Sequence, residues 1–156
     1  MVEIEFTALA QKIVEQWRNE NVKLNIGTTE DELLAFERRF VLTLPPDFRY
    51  FYSLVNGMTG SESDKYFFCL WSLEEIAAAI TQKEPSFCAK VTQSSAACKI
   101  EIPFGDYLID SIRYLLCREI PEAQFFVHTD FGERLADNFC HFLQRFLTEP
   151  EKIYLL

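Results

Sequence analysis

The chain has 156 residues, 49% apolar and 25% charged, the balance of a soluble globular protein long enough to bury its own core as one domain over 1–156. Its formal charge of −9, from 24 acidic and 15 basic side chains, argues against direct nucleic-acid binding, which needs a basic surface to meet phosphate. Fifteen phenylalanines imply a core built on large rings.

The opening "MVEIEFTALAQKIVEQW" has neither the basic start nor the continuous apolar stretch of a signal peptide. No run approaches the roughly 18 apolar residues of a membrane span, so the expected location is the cytoplasm. Phe6, Ala10, Ile13 and Trp17 recur at helical spacing and predict a first helix from about Glu3 to Asn19. "NVKLNIGT" breaks that period. A second helix follows over about 30–40. Thr29 and Glu32 form a capping-box pattern, Leu33, Phe36 and Phe40 make the buried side, and Glu37, Arg38 and Arg39 face water.

"LPPDFRYFYSLVNG", residues 44–57, is the most distinctive stretch. Leu44, Pro45 and Pro46 end one helix and start another, because proline suits a first turn and cannot continue a helix interior. Phe48, Phe51, Tyr52 and Val55 share one face, and Tyr50 with Leu54 forms a second apolar stripe. Arg49, Ser53 and Asn56 are the polar strip. A helix so apolar must be covered on most sides. Gly57 suits the left-handed position past its end.

"GMTGSESDK" reads as a polar loop and "YFFCLW", residues 66–71, as a buried strand. Ser72 and Glu75 form a second capping box, opening a helix with Leu73, Ile76, Ala77 and Ile80 inward. Residues 81–97 show no clean period and read as a long loop with room for a turn of helix. Strands then follow in "KIEIPFG", "YLID", "RYLLCRE" and "AQFFVHTD", with a turn near Asp110 and Ser111. A last helix starts near Asp137, with Phe139, Phe142, Leu143 and Phe146 toward the sheet. The tail "EKIYLL" has no assignment. Consecutive strands in the second half predict an α+β fold: N-terminal helices packed on a mainly antiparallel sheet, with a C-terminal helix.

Catalytic and metal signatures are sparse. Cys69, Cys88, Cys98, Cys117 and Cys140 are odd in number and contain no CxxC pair, which points to free thiols and away from disulfides or structural zinc. There is no phosphate-binding glycine loop and no nucleophile elbow. His128, Asp130 and a cysteine could form a cysteine–histidine–acid site, but nothing places a base beside an activated thiol. An edge-strand histidine is the simpler expectation, and His141 reads as exposed or flanking. No catalytic residue, metal ligand or cofactor is expected. The acids are more interesting as surfaces. Glu62 and Asp64 share a loop, while Asp106, Asp110, Glu119, Glu122, Asp130 and Glu133 fall near predicted strand ends. Gathered together, they would attract a basic partner; scattered, they would be an ordinary solvated surface.

"TEDELLAFERRFVLTLPPDFRYFYSLVNG", followed in order by "FFCLWSLEEI", "IPFGDYLID" and "LADNFCHFL", resembles the SUKH superfamily of bacterial immunity proteins and fungal cell-wall-synthesis regulators. The resemblance covers most of 29–147. The chain departs from it in lacking a glycine immediately before the Leu-Pro segment and in having few after Asn-Gly. The resemblance implies a non-enzymatic α+β binding domain whose partner is a cognate protein toxin. The expected toxin is basic, with a nuclease the leading class, and it is neutralised by occlusion through an acidic surface. A regulatory scaffold without a toxin partner is the first alternative, and a cysteine-dependent enzyme the second. No direct contact with nucleic acid or membrane is expected.

Overall fold

The computed structural model describes residues 4–60, 62–83, 100–120 and 123–154. Helix α1, Ile4–Asn19, buries Phe6, Ala10, Ile13, Val14 and Trp17, the face its spacing predicts. The break at "NVKLNIGT" contains a short strand, β1, Leu24–Ile26. Three residues carry no readable alternation, and β1 exists through its pairing with β2, Val55–Met58.

Helix α2, Glu30–Phe40, starts where the capping box places it. Thr29 Oγ1 accepts the Glu32 N–H at 3.1 Å, and Glu32 Oε1 accepts the Thr29 N–H at 2.8 Å. Glu37 does not face open water as its position suggests. It is half-buried, accepting the Leu44 N–H at 2.7 Å and Arg49 Nη1 at 2.8 Å. Arg49 also pairs with Glu30. The Leu-Pro segment is thus tied to α2 on one side.

Helix α3, Pro46–Leu54, has Pro45 extended before it and Pro46 in its first turn. Phe48, Phe51 and Tyr52 are fully buried. Their rings meet Trp17 of α1 and Phe139 near the C-terminus, with centroids 6.0 Å apart for Phe51–Trp17, 5.0 Å for Phe48–Phe139 and 5.6 Å for Phe51–Phe139. The helix ends two residues before the Asn-Gly pair. Val55 is already extended (φ −152°, ψ 124°) and opens β2. Asn56 is therefore buried and not part of a polar strip: its Oδ1 accepts the Leu73 N–H at 2.8 Å and its Nδ2 donates to Glu74 at 3.0 Å. Gly57 does adopt a positive φ of 75°, but inside β2. A Cβ there would lie 2.4 Å from Ser72 N and 2.5 Å from Trp71 C, so glycine permits a close backbone approach.

The larger sheet is antiparallel throughout, in the order β3 (Phe68–Leu70), β4 (Ile100–Tyr107), β5 (Ile112–Arg118), β6 (Phe126–Thr129) and β7 (Arg134–Ala136). Between β3 and β4, helix α4, Leu73–Lys83, buries Leu73, Ile76, Ala77 and Ile80. Its cap matches the sequence expectation: Glu75 Oε1 accepts the Ser72 N–H at 2.9 Å, and Ser72 Oγ accepts the Glu75 N–H at 3.1 Å. The expected loop at 81–97 is helical over its first three residues, and 84–97 lies outside the described residues.

"YLID" is not a separate strand. Tyr107 ends β4, and the next four residues form the turn into β5. "YFFCLW" is a strand only at its centre, Phe68–Leu70. The short β7 escaped the sequence pattern. One face of the sheet carries Ile100, Ile102, Tyr114, Leu116 and Val127 into the core. Helix α5, Phe139–Thr148, covers it with Phe139, Phe142, Leu143 and Phe146. Its Asn138 cap accepts the His141 N–H at 2.7 Å. The tail forms a short helix, α6, Pro150–Ile153, and Tyr154 stacks on Tyr107 at 4.7 Å. The chain is therefore α+β, with helices toward both termini and antiparallel sheets. Among the described residues, no helix is long and apolar enough to cross a membrane.

Candidate protein-binding surface

Antiparallel pairing brings three loops to one end of the larger sheet: residues 64–67 before β3, the β4–β5 turn at 108–111, and the β6–β7 turn at 130–133. They are bonded to one another or to adjoining strands. Leu108 N–H donates to Phe67 O at 3.1 Å, and Asp130 N–H donates to Arg113 O at 3.0 Å.

These loops present large apolar side chains to solvent. Ile109 is 97% exposed, Phe131 71%, Phe67 55% and Leu108 44%, with Tyr66 beside them at 40%. Their backbone is unusual too. Phe67, Leu108, Ile109 and Asp110 have φ values of 67°, 52°, 50° and 66°. Such angles cost a side-chain-bearing residue about 1–3 kcal/mol each, and a β-branched isoleucine is a clear outlier. Folding that holds exposed apolar groups in strained turns favours display over burial.

Carboxylates fix these loops from beneath. Asp64 is 4% exposed and accepts three N–H donors: Trp17 Nε1 at 3.3 Å, Tyr66 N at 2.9 Å and Phe68 N at 3.0 Å. Burial raises its pKa, opposed by these bonds. Asp106, 9% exposed, accepts Trp71 Nε1 at 2.6 Å and the Asp110 N–H at 3.1 Å. Both are occupied inside the protein, where they hold these loops in place.

Asp110, Asp130 and Glu133 are the exposed acids at this end. Arg113 donates to both oxygens of Asp110, at 2.6 and 3.0 Å, and that bond lowers the Asp110 pKa. The guanidinium also lies 5.1 Å from the Trp71 ring. Asp130 accepts the Arg113 N–H at 3.1 Å. Thr129 Oγ1 accepts the Phe131 and Glu133 N–H groups, each at 3.2 Å.

The remaining acids lie elsewhere. Glu62 is half-buried on the approach to β3, facing the Lys23 N–H at 3.5 Å. Glu119 is exposed just past β5, at the opposite end of the sheet. Glu122 lies outside the described residues. Register therefore gathers Asp106, Asp110, Asp130 and Glu133 at one end, sets Asp64 beneath it, and leaves Glu119 apart. The apolar half of the surface was missed in the sequence. Its signal was "DYLID", where apolar residues occupy turn positions that glycine, asparagine or aspartate usually fill.

His128 differs from expectation, whereas His141 sits at the flank of its helix as its position suggests. His128 is on β6, an interior strand of the sheet, and Asp130 accepts from the Arg113 backbone. Its Nε2 is 3.3 Å from Glu101, and Cys117 lies in the same cluster. His141 is half-buried and accepts the Asp137 N–H on Nδ1 and Arg145 Nε on Nε2, each at 3.1 Å. Cys69, on the edge strand, has its thiol pushed up to about 12 by burial and by Asp106, Glu75 and Asp64. It is protonated at neutral pH and is a poor nucleophile.

The family model for SMI1 / KNR4 (SUKH-1) matches residues 27–145. The chain belongs to this family. No curated protein matches it. In this SMI1/KNR4 family member the match spans the capped α2, the ring-rich α3, both sheets except β1, and all three loops of the apolar–acidic end. The family includes toxin-immunity proteins and SMI1/KNR4 regulators, which act by binding other proteins.

Proposed function

We propose that this protein is a non-enzymatic, cytoplasmic immunity protein that binds a cognate toxin through the end of its five-stranded sheet. The observation that carries the reading is the grouping of Phe67, Leu108, Ile109 and Phe131 with Asp110, Asp130 and Glu133 on loops fixed by buried carboxylates. Exposed apolar side chains supply residence time when a partner desolvates them. Acids around them, on a chain of charge −9, speed capture of a basic partner.

A nuclease is the toxin class that fits best, because its substrate channel must be basic to admit phosphate. The immunity protein occludes that channel and needs no cofactor. Co-expression with the toxin encoded beside its gene should restore growth, and association should slow as salt rises. Growth arrest despite co-expression removes the immunity role; salt-insensitive association removes the electrostatic part. The family match also favours a second reading, a regulatory scaffold using the same surface. Absence of a toxin gene alongside, with a cellular protein bound at these loops, would select it.

A further inference from the structure

The face of the sheet opposite α5 carries a second cluster. Glu101 on β4 pairs directly with Cys117 on β5, and His128 on β6 lies diagonally from Cys117, opposite Leu115. Side chains paired across strands share a face. The carboxylate, thiol and imidazole ligand atoms of these residues all lie within 4.8 Å of one another. Cys117 is fully buried and His128 is 8% exposed, whereas the Glu101 side chain is 40% exposed.

His128 Nε2 is the telling atom. It is buried without a hydrogen bond, although Glu101 Oε2 is only 3.3 Å away. Burying a polar nitrogen this way costs about 1–3 kcal/mol unless something else satisfies it. A metal ion would. Nitrogen and oxygen ligands about 2.0–2.1 Å from zinc, at a tetrahedral angle, stand about 3.3–3.4 Å apart. The Nε2–Oε2 separation already has that value.

We propose that Glu101, Cys117 and His128 bind one zinc ion, with water at the fourth position on the Glu101 side. Thiolate, imidazole and carboxylate suit zinc, while magnesium and calcium favour oxygen ligands alone. Binding replaces the Cys117 thiol proton with a sulfur–zinc bond and releases that proton to solvent. The ion ties β4, β5 and β6 together on the face away from the ring core. It sits apart from the partner loops: Cys117 is four residues along β5 from Arg113, roughly 13 Å.

The test uses the full chain, reduced and stripped of metal, titrated with cobalt(II) as an optical substitute for zinc. One equivalent should produce the visible bands of a tetrahedral site and a near-ultraviolet thiolate-to-cobalt band, both displaced by zinc. Cys117→Ser should abolish the thiolate band, and His128→Gln should weaken binding at least tenfold. His141→Ala and Cys69→Ser should leave the spectrum unchanged. Zinc should raise the Tm of the wild type and not of Cys117→Ser. Far-ultraviolet circular dichroism checks that each variant folds, and the wild-type spectrum decides alone if one does not. No thiolate band in the wild type, or a band that persists in folded Cys117→Ser, would overturn the proposal.

Discussion

Replacing Phe51 with alanine separates an interior strut from a contact residue. The side chain is fully buried between Trp17, Tyr52 and Phe139, with ring centroids 6.0, 6.4 and 5.6 Å away. Removing it loses about 1.5–3 kcal/mol of transfer free energy. A further cost of about 24 cal/mol accrues for each Å³ of void that does not collapse. The neighbours are large rings in contact with other rings, so collapse is limited, and the total is about 3–5 kcal/mol. Urea unfolding should show this as a lower midpoint at unchanged slope. Phe131→Ala, at a 71% exposed position, should stay within about 0.5 kcal/mol of wild type yet weaken partner binding tenfold or more. A loss below about 1 kcal/mol for Phe51→Ala, accompanied by lost binding, would refute the assignment of α3 to the interior.

Further expectations concern the carboxylates that fix the loops. Asp64→Ala strands the buried Trp17 indole N–H and Phe68 amide and should cost about 2–4 kcal/mol in the same assay; a loss under about 0.5 kcal/mol would show that the 64–67 loop is held by other contacts. Because Arg113 lowers the Asp110 pKa from its usual 3.8, Asp110 contributes stability above that pH which is lost as pH falls through the lowered value. A carboxyl NMR titration should place its midpoint below 3.8, and Arg113→Gln should raise it. Asp64, raised by burial, should titrate above 3.8 and favour the folded state as pH falls through its raised value. An Asp110 midpoint at or above 3.8, or an Asp64 midpoint at or below it, would contradict the environment assigned to that residue.

The helices were largely legible because their signals are local. Thr29 with Glu32 and Ser72 with Glu75 mark two starts within four residues of chain, and the phenylalanine spacing of α5 names its buried face. The end of α3 was not legible. Val55 and Asn56 continue the helical period, but pairing with β1 and bonds to α4 pull them into a strand. Tertiary contacts overrode the local pattern there. The candidate surface was legible by half. Acids near strand ends are visible in sequence, but burial of Asp64 and Asp106 is set by the indoles of Trp17 and Trp71, 47 and 35 residues away. The Glu101–Cys117–His128 cluster depends on strand register, which no local spacing encodes.

A groove elsewhere on the protein tests how specific the assignment of the partner surface is. An open groove between α2 and α4 is lined by Phe36, Arg39, Ala77 and Thr81, and Arg39 Nη2 donates across it to Thr81 at 3.0 Å. It lies on elements separate from the three loops and lacks their grouping of exposed apolar side chains with strained backbone. The most direct measurement is hydrogen–deuterium exchange of this protein alone and in complex with the protein encoded beside its gene. Protection on binding should concentrate at 64–67, 108–111 and 130–133. Protection confined to α2 and α4, with those loops exchanging as in the free protein, would contradict the account.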